Sequence, residues 1–319
     1  MADHLQSSVD QFVYSILRLP IGERLGDALS FFIYDSLKVL LLLVIMIFLV
    51  SILRTFISRE RVRKWLGGRR EGVGNVLAAL LGIPTPFCSC SAVPLFIGFV
   101  RSGVPLGVTF SFLVASPLIN EVALALLLAL FGWQVALLYV LTGLAVAVIA
   151  GLIIGRLHLE NELEPLDARE ASLYFKKVRM DWRQRLGFAW EQTLHLLGQV
   201  GPYVLIGVGL GALIHGFAPV DWLAGVAGRG NPFAVVMAVL VGVPLYSNAA
   251  GVIPIVQALM GKGMAMGTAL AFMMSVTALS LPEMMILRRV MKPKLLAVFI
   301  SILAVSFVLV GLLFNAVLG

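Results

Sequence analysis

Residues 82–94 read Gly-Ile-Pro-Thr-Pro-Phe-Cys-Ser-Cys-Ser-Ala-Val-Pro, and residues 116–121 read Ser-Pro-Leu-Ile-Asn-Glu. An otherwise apolar chain places Pro84, Pro86, Pro94, its only two cysteines (Cys88 and Cys90) and the carboxylate Glu121 within this stretch. In hydrocarbon an unpaired backbone N–H or C=O is costly, so irregular backbone survives only where protein or a water-lined cavity surrounds it. A polar, proline-broken stretch in apolar surroundings is therefore where a binding site is expected.

The stretch has a second copy. At an offset of 160, Gly82, Ile83 and Pro84 fall on Gly242, Val243 and Pro244, while Pro94, Gly103 and Gly107 fall on Pro254, Gly263 and Gly267. Beyond Ser116 the register is read as slipping by about two residues, which pairs Glu121 with Glu283. Paired Gly/Pro-interrupted segments are the mark of a transporter built from an internal duplication.

Composition sets the class. Of 319 residues 60% are hydrophobic and 13% charged, and the mean hydropathy is +0.99. Soluble domains carry about a quarter charged residues, so this is an all-α polytopic membrane protein. Charge-poor runs at Val39–Leu53 with its flanks, Val135–Ile154, Leu194–Ile214 and Leu295–Leu318 supply spans. The N-terminus lacks a basic start and a short apolar core, so no cleaved signal peptide is expected. The net charge of +7 comes from Lys and Arg between apolar runs, the topogenic use of positive charge, and nucleic acid is not an expected partner. Two cysteines two residues apart do not make a disulfide framework.

The charges divide the chain. Residues 1–30 form an interfacial segment with apolar residues at helical spacing (Val9, Phe12, Val13, Ile16, Leu17). Residues 31–155 make a first membrane repeat, 156–190 a charged cytoplasmic linker and 191–319 a second repeat. The cluster from Arg54 to Arg70 is expected in the cytoplasm, as are the linker and the site Arg288, Arg289, Lys292 and Lys294. That puts the N-terminus outside. Residues 73–100 split at Pro84-Thr-Pro86 into pieces of about fourteen residues, near 21 Å each. Neither crosses a core of about 30 Å, which suggests a re-entrant hairpin, and 233–260 suggests its counterpart. Residues 104–131 then cross once, broken at Ser116-Pro117. The resulting topology is an inverted repeat of six spans and two hairpins. Eight full spans, with the linker outside, is the competing arrangement.

Three groups of residues could carry chemistry. On a regular helix Cys88 and Cys90 point about 200° apart. Extended backbone, which Pro84 and Pro86 favour in the residues before them, would let the two sulfurs converge. Two thiolates suit a soft metal or metalloid. The plainer reading treats buried cysteines as small hydrophobes. Glu121, after Asn120, is expected to be buried with a raised pKa. It then serves either as a coupling site or as a structural partner of the backbone freed at Pro117. Glu283, near Arg288 and Arg289, reads as interfacial. In the second copy Tyr246, Ser247 and Asn248 occupy the place of the Cys motif, with Pro244 as its helix break, so Cys88, Ser89, Cys90, Ser247 and Asn248 could surround one cavity. His195 and His215, near helix ends, read as structural or interfacial. No Gly-x-x-x-x-Gly-Lys-Ser/Thr loop is present, so the chain does not power transport with its own ATPase and no cofactor is expected.

Together, Pro-Thr-Pro-Phe-Cys-Ser-Cys-Ser-Ala-Val-Pro, Ser-Pro-Leu-Ile-Asn-Glu, Tyr-Ser-Asn-Ala-Ala-Gly-Val-Ile-Pro and Ser-Leu-Pro-Glu resemble the bacterial predicted-permease family that includes the ArsP organoarsenical efflux permeases. The resemblance covers the chain from about residue 35 onward and implies an inner-membrane permease rather than an enzyme. In the characterised branch trivalent organoarsenicals are extruded with cysteine thiols as suspected ligands, here Cys88 and Cys90. Two function classes follow: a secondary transporter for a small thiophilic solute, or a membrane thiol-redox or metal relay. A duplicated site favours transport, because a relay needs only one. A homo-oligomer is compatible with either.

Overall fold

Long apolar runs and short interrupted ones alternate along the chain, and its helices do the same. In the computed structural model the described residues are 11–16, 24–54, 72–83, 89–164, 181–217, 231, 233–245, 249–261, 263–288 and 290–318. Among the described residues the α-helices of the first part are α1 (Arg24–Arg54), α2 (Val73–Gly82), α3 (Ser89–Arg101), α4 (Leu106–Leu118) and α5 (Glu121–Arg156). Those of the second part are α6 (Trp182–Phe217), α7 (Ala234–Gly242), α8 (Ala249–Gly261), α9 (Met266–Ala278), α10 (Leu281–Leu287) and α11 (Pro293–Leu318). Among the described residues the only β pairing is an isolated bridge between Leu163 and Met291.

Segments Ala28–Leu49, Ala123–Arg156, Met266–Leu287 and Pro293–Leu318 are long and apolar enough to cross a bilayer. The chain is thus an all-α, multi-pass membrane protein. The run expected at Leu194–Ile214 lies inside the 36-residue α6. Helices α2, α3, α7 and α8 have 10, 13, 9 and 13 residues, about 14–20 Å each. None of them reaches across alone. The 36-residue α5 opens on Glu121 and closes on Arg156, charges that suit the two ends of the helix dipole. It is bent where Gly132 takes φ 83°.

The same bounds recur at one offset. Helix α4 ends at Leu118 and α9 at Ala278, and α3 and α8 run over Ser89–Arg101 and Ala249–Gly261. Gly103 and Gly263 both take the left-handed turn between them, at φ 79° and 99°, a region open to glycine without a Cβ clash. Backbone bonds match too: Val104 N–H donates to Phe99 O and Met264 N–H to Leu259 O, each at 3.1 Å. Past the helix breaks, Ile119 N–H donates to Ala115 O and Leu279 N–H to Ser275 O, each at 2.9 Å. The expected slip after Ser116 is therefore absent. Glu121 matches Leu281 and Glu283 matches Ala123, because the backbone keeps its register where acidic residues and prolines do not.

Packing joins the parts through like elements. Helix α1 packs along α6, α4 on α9, and α5 on α11, while α3 meets α10 and α8 meets α5. Phe48 stacks edge-on with Trp190 at 6.3 Å between centroids. Leu40 lies against Gly201 and Phe32 against Gly209. Numbers rise along α1 as they fall along α6, so the two helices run antiparallel. All thirteen residues of α4 are buried. Phe110 on α4 touches Phe96 on α3 at 5.1 Å and Phe299 on α11 at 5.4 Å.

Membrane helices associate by close packing rather than by a hydrophobic driving force, so small residues mark their contacts. Gly107 of α4 faces Gly151 of α5, and Gly267 of α9 faces Gly311 of α11. A Cβ on Gly107, Gly151 or Gly267 would run into its partner's carbonyl oxygen, and one on Gly311 would run into Val235 and Ala271. Each contact has a polar fastening nearby, and the two differ. In the first, buried Asn75 donates to Ser111 Oγ at 2.9 Å. In the second, Asn315 Oδ1 accepts from Thr268 N–H at 3.2 Å and its Nδ2 donates to Thr268 Oγ1 at 3.1 Å.

Candidate functional site

The candidate site is bounded by four short helices, α2, α3, α7 and α8, and by two helix starts, α5 and α10. Helices α2 and α7 end at Gly82 and Gly242, each followed by an apolar residue and a proline. A residue before proline is disfavoured in helical backbone. Ile83 and Val243 nevertheless keep it, at φ/ψ −60°/−55° and −57°/−47°. The expected extended entry therefore does not begin before the first proline. The helix simply ends there, since proline has no N–H to continue the ladder. After Val243 the chain turns at half-buried Pro244, and Leu245 N–H donates to Gly242 O at 3.1 Å.

Pro84, Pro86 and Cys88 lie outside the described residues, as do Tyr246, Ser247 and Asn248. Ser89 and Cys90 are the first two residues of α3. Extended backbone running through Cys90 is thus corrected: the chain is helical from Ser89 onward. Pro94 of α3 and Pro254 of α8 are each the sixth residue of their helices. Among the described residues, no three of His, Cys, Asp and Glu gather as metal ligands.

The second break is fully described. Pro117 is buried inside the last turn of α4, so the interruption comes at Ile119–Asn120 rather than at Ser116-Pro117. Asn120 holds both sides of it. Its Nδ2 donates to Pro117 O at 3.3 Å, and its Oδ1 accepts from Ala123 N–H at 2.8 Å, capping α5. Tyr139 Oη donates to Leu118 O at 3.0 Å. The freed backbone that sequence reasoning assigned to Glu121 is met by Asn120 and Tyr139 instead. Glu121 is exposed in the first turn of α5, which corrects its expected burial.

Glu283 reverses in the other direction. Expected at the interface, it is 2% exposed in the first turn of α10. Helix α10 begins against the other break, for Leu281 N–H donates to Val243 O at 2.9 Å. Because α10 also packs on α3, a buried acid of one part sits on the helix that touches the Ser89–Cys90 helix of the other. Sequence reasoning missed it because nearby Arg288 and Arg289 suggested the membrane edge. It also missed Asp35, a half-buried carboxylate inside α1. Lys38 lies three residues later with its Nζ 5.4 Å from the centroid of the Tyr34 ring. Asp–Lys spacing of three on a helix was the available signal.

Comparison with known proteins fits this architecture. The chain is 28% identical over 279 residues to the UPF0718 protein YraQ of Escherichia coli, covering 83% of this chain and 74% of that protein. It is 20% identical over 351 residues to the UPF0718 protein MJ0584 of Methanocaldococcus jannaschii, covering 90% and 92% of the two chains. The UPF0718 protein YcgR of Bacillus subtilis is 24% identical over 210 residues, 65% and 70% of the two chains. No solved structure matches the chain significantly. The model of the ArsP-type family described as "Predicted permease" matches residues 24–316. Nearly the whole helical body lies within that match, and the chain belongs to the predicted-permease family.

Proposed function

We propose that this permease is a secondary transporter in the bacterial inner membrane, exporting a small thiophilic solute of the trivalent organoarsenical class. The solute binds between the two broken hairpins, with Cys88 and Cys90 as soft ligands and Ser89, Tyr246, Ser247 and Asn248 around it. Pro84, Pro86, Pro117 and Pro244 mark the helix breaks. Glu121, beside Asn120, couples the cycle to protons. The observation that supports this reading best is the recurrence of one helix–break–helix unit at an offset of 160, joined by antiparallel α1 and α6. Like helices running opposite ways across the membrane are what an inverted repeat requires, and an inverted repeat can present one central site to either side. Thiol relay requires no such duplication.

Expression in arsenical-sensitive cells tests it with methylarsenite as the probe. The wild-type chain confers resistance; Cys88→Ser or Cys90→Ser loses most of it, because one thiolate forfeits the chelate, and Phe87→Leu keeps it. Full resistance in the Cys88→Ser, Cys90→Ser double variant overturns the ligand assignment. Orientation is tested separately. A cysteine replacing Asp167, in a background with no other cysteine, should be shielded from impermeant reagents in intact cells, and one replacing Asp221 should react. Labelling at 167 from outside removes the inverted topology.

A further inference from the structure

One contact between the two parts of the chain plays no role in solute binding. After α5 the chain makes a short 3-10 turn at Glu160–Glu162 and runs beside the joint between α10 and α11. Glu164 N–H donates to Val290 O at 2.9 Å and Lys292 N–H to Glu162 O at 2.8 Å, flanking the antiparallel Leu163–Met291 bridge. Side chains repeat the pairing. Arg288 Nη1 donates to Glu164 Oε1 at 3.0 Å and to Met291 O at 3.2 Å. Lys292 Nζ donates to Asn161 O at 2.9 Å, and Lys294 Nζ lies 3.6 Å from Glu162 Oε1. Met291 is fully buried.

The element fastened here is short but packed into the core, with Glu283, Met284, Ile286 and Leu287 buried. Helix α10 has seven residues, too few to be stable by its own backbone bonds. It rests on α3 and α6, is tied at its start to Val243, and is tied at its end by the Glu162–Glu164 strip. The matching stretch of the first part is interrupted at one residue, Gly132, whose φ/ψ of 83°/172° separates two helical pieces of α5. A strap is therefore present where the break spans residues 288–292 and absent where it is a single glycine.

We propose that Glu160–Glu164 is a releasable latch on the α10–α11 joint, whose opening frees α10 and uncovers its buried start at Ser280 and Glu283. The fastening suits release. Both ion pairs are partly exposed, at 48% and 33% for Arg288 and Glu164 and 68% and 25% for Lys294 and Glu162. Pairs of that kind are individually weak and are screened by salt. The main-chain pairing is a single bridge rather than a ladder. A charge brought against Arg288, or taken from Glu164, therefore shifts the joint toward the open form. The latch goes beyond the solute assignment and does not depend on it.

Its test needs no transported solute. The full chain is placed in lipid nanodiscs with Cys88→Ser and Cys90→Ser, and Ser280→Cys, a near-isosteric change at a site 2% exposed, serves as reporter. The rate of labelling by a water-soluble maleimide is then followed. Glu164→Arg raises this rate about fivefold, the most that one such pair holds back, and Arg288→Glu does the same. Combining them returns the rate to that of the parent, which a merely misfolded variant would not do. Raising salt to about 0.5 M speeds the parent more than the Glu164→Arg chain, which keeps only the Lys294–Glu162 pair. A rate that neither reversal moves, or that the double reversal fails to restore, overturns the latch.

Discussion

Residues 72–131 and 233–287 trace the same path of short helix, break, short helix, buried helix and second break, yet they fasten it with different side chains. Asn75 and Ser111 hydrogen-bond across α2 and α4; at 235 and 271 stand Val and Ala, packed on Gly311. Thr268 and Asn315 bond across α9 and α11; at 108 and 155 stand Val and Gly. Each part thus places a polar clamp where the other is apolar, and the second adds a bond from Ser275 Oγ to Val239 O at 2.7 Å between α7 and α9. The backbone path is the common feature, and the polar groups that hold it are interchangeable so long as each is satisfied.

What the two parts share is tested most severely at their glycine contacts. Gly107→Leu drives a side chain into the α5 backbone at Gly151. No rotamer avoids a backbone collision, so the cost exceeds the usual ~1–3 kcal/mol of overpacking. The expected result is loss of monodisperse protein on size-exclusion chromatography. Gly267→Leu should fail equally. If one tolerates leucine and the other does not, the two contacts are not equivalent.

Function is expected to divide the parts where packing does not. Glu121 is exposed and its positional match is Leu281; Glu283 is buried and its match is Ala123. With Glu121 as the coupling acid, Glu121→Gln leaves the fold intact and abolishes the response of methylarsenite efflux to an imposed proton gradient in everted vesicles. Glu283→Gln, hidden in α10, should retain that response. The opposite result would move coupling to the second part.

The clamp residues allow a finer exchange. Asn75→Val removes the amide that donates to Ser111 Oγ and accepts from Gly72 N–H, while Ser111 keeps its bond to Gly107 O. It should cost about 1 kcal/mol, read as a lowered apparent melting midpoint in detergent. Ser111→Ala alone strands the Asn75 amide and should cost a similar amount. The double variant copies the Val235–Ala271 pair of the second part; replacing both partners by apolar groups can be nearly neutral, which leaves the lost bond from Gly72 N–H as its remaining cost. Two single losses that simply add in the double variant would mean that the pair does not act as a unit.

Much of this architecture was legible in the chain, and the limits have physical causes. Hydropathy and charge marked the membrane class, because hydrocarbon admits so few backbone arrangements. Gly82, Pro94, Gly103 and Gly107 with their matches at 242, 254, 263 and 267 marked the recurrence, because tight turns and close contacts narrow the choice of residue. Beyond Ser116 the same logic misled: acid was matched to acid and proline to proline, while the helices kept their register. The burial of the two glutamates was misread for a related reason. A position in an apolar run says that a residue lies near hydrocarbon or protein, but which face of the helix it occupies is decided by neighbours distant in sequence. The pairing of Glu162 and Glu164 with Arg288 and Lys294 spans more than 120 residues and leaves no local pattern.

The smallest expected difference lies at the second break, where one part places Asn120 and the other Ser280. Both residues begin a helix, but they hold it differently. Asn120 accepts from Ala123 N–H and donates to Pro117 O, closing the gap on both sides. At Ser280 no side-chain cap bond forms, and the start of α10 is held by the bond from Leu281 N–H to Val243 O. Removing the side chain should therefore matter in one place and hardly in the other. Asn120→Ala forfeits a full cap and should cost about 1 kcal/mol, with the loss of the bond to Pro117 adding to it. Ser280→Ala should cost only a few tenths. Melting midpoints of the two variants in the same detergent decide the matter. Equal losses would show that Ser280 contributes as much to its helix start as Asn120 does, and that the two breaks are fastened alike after all.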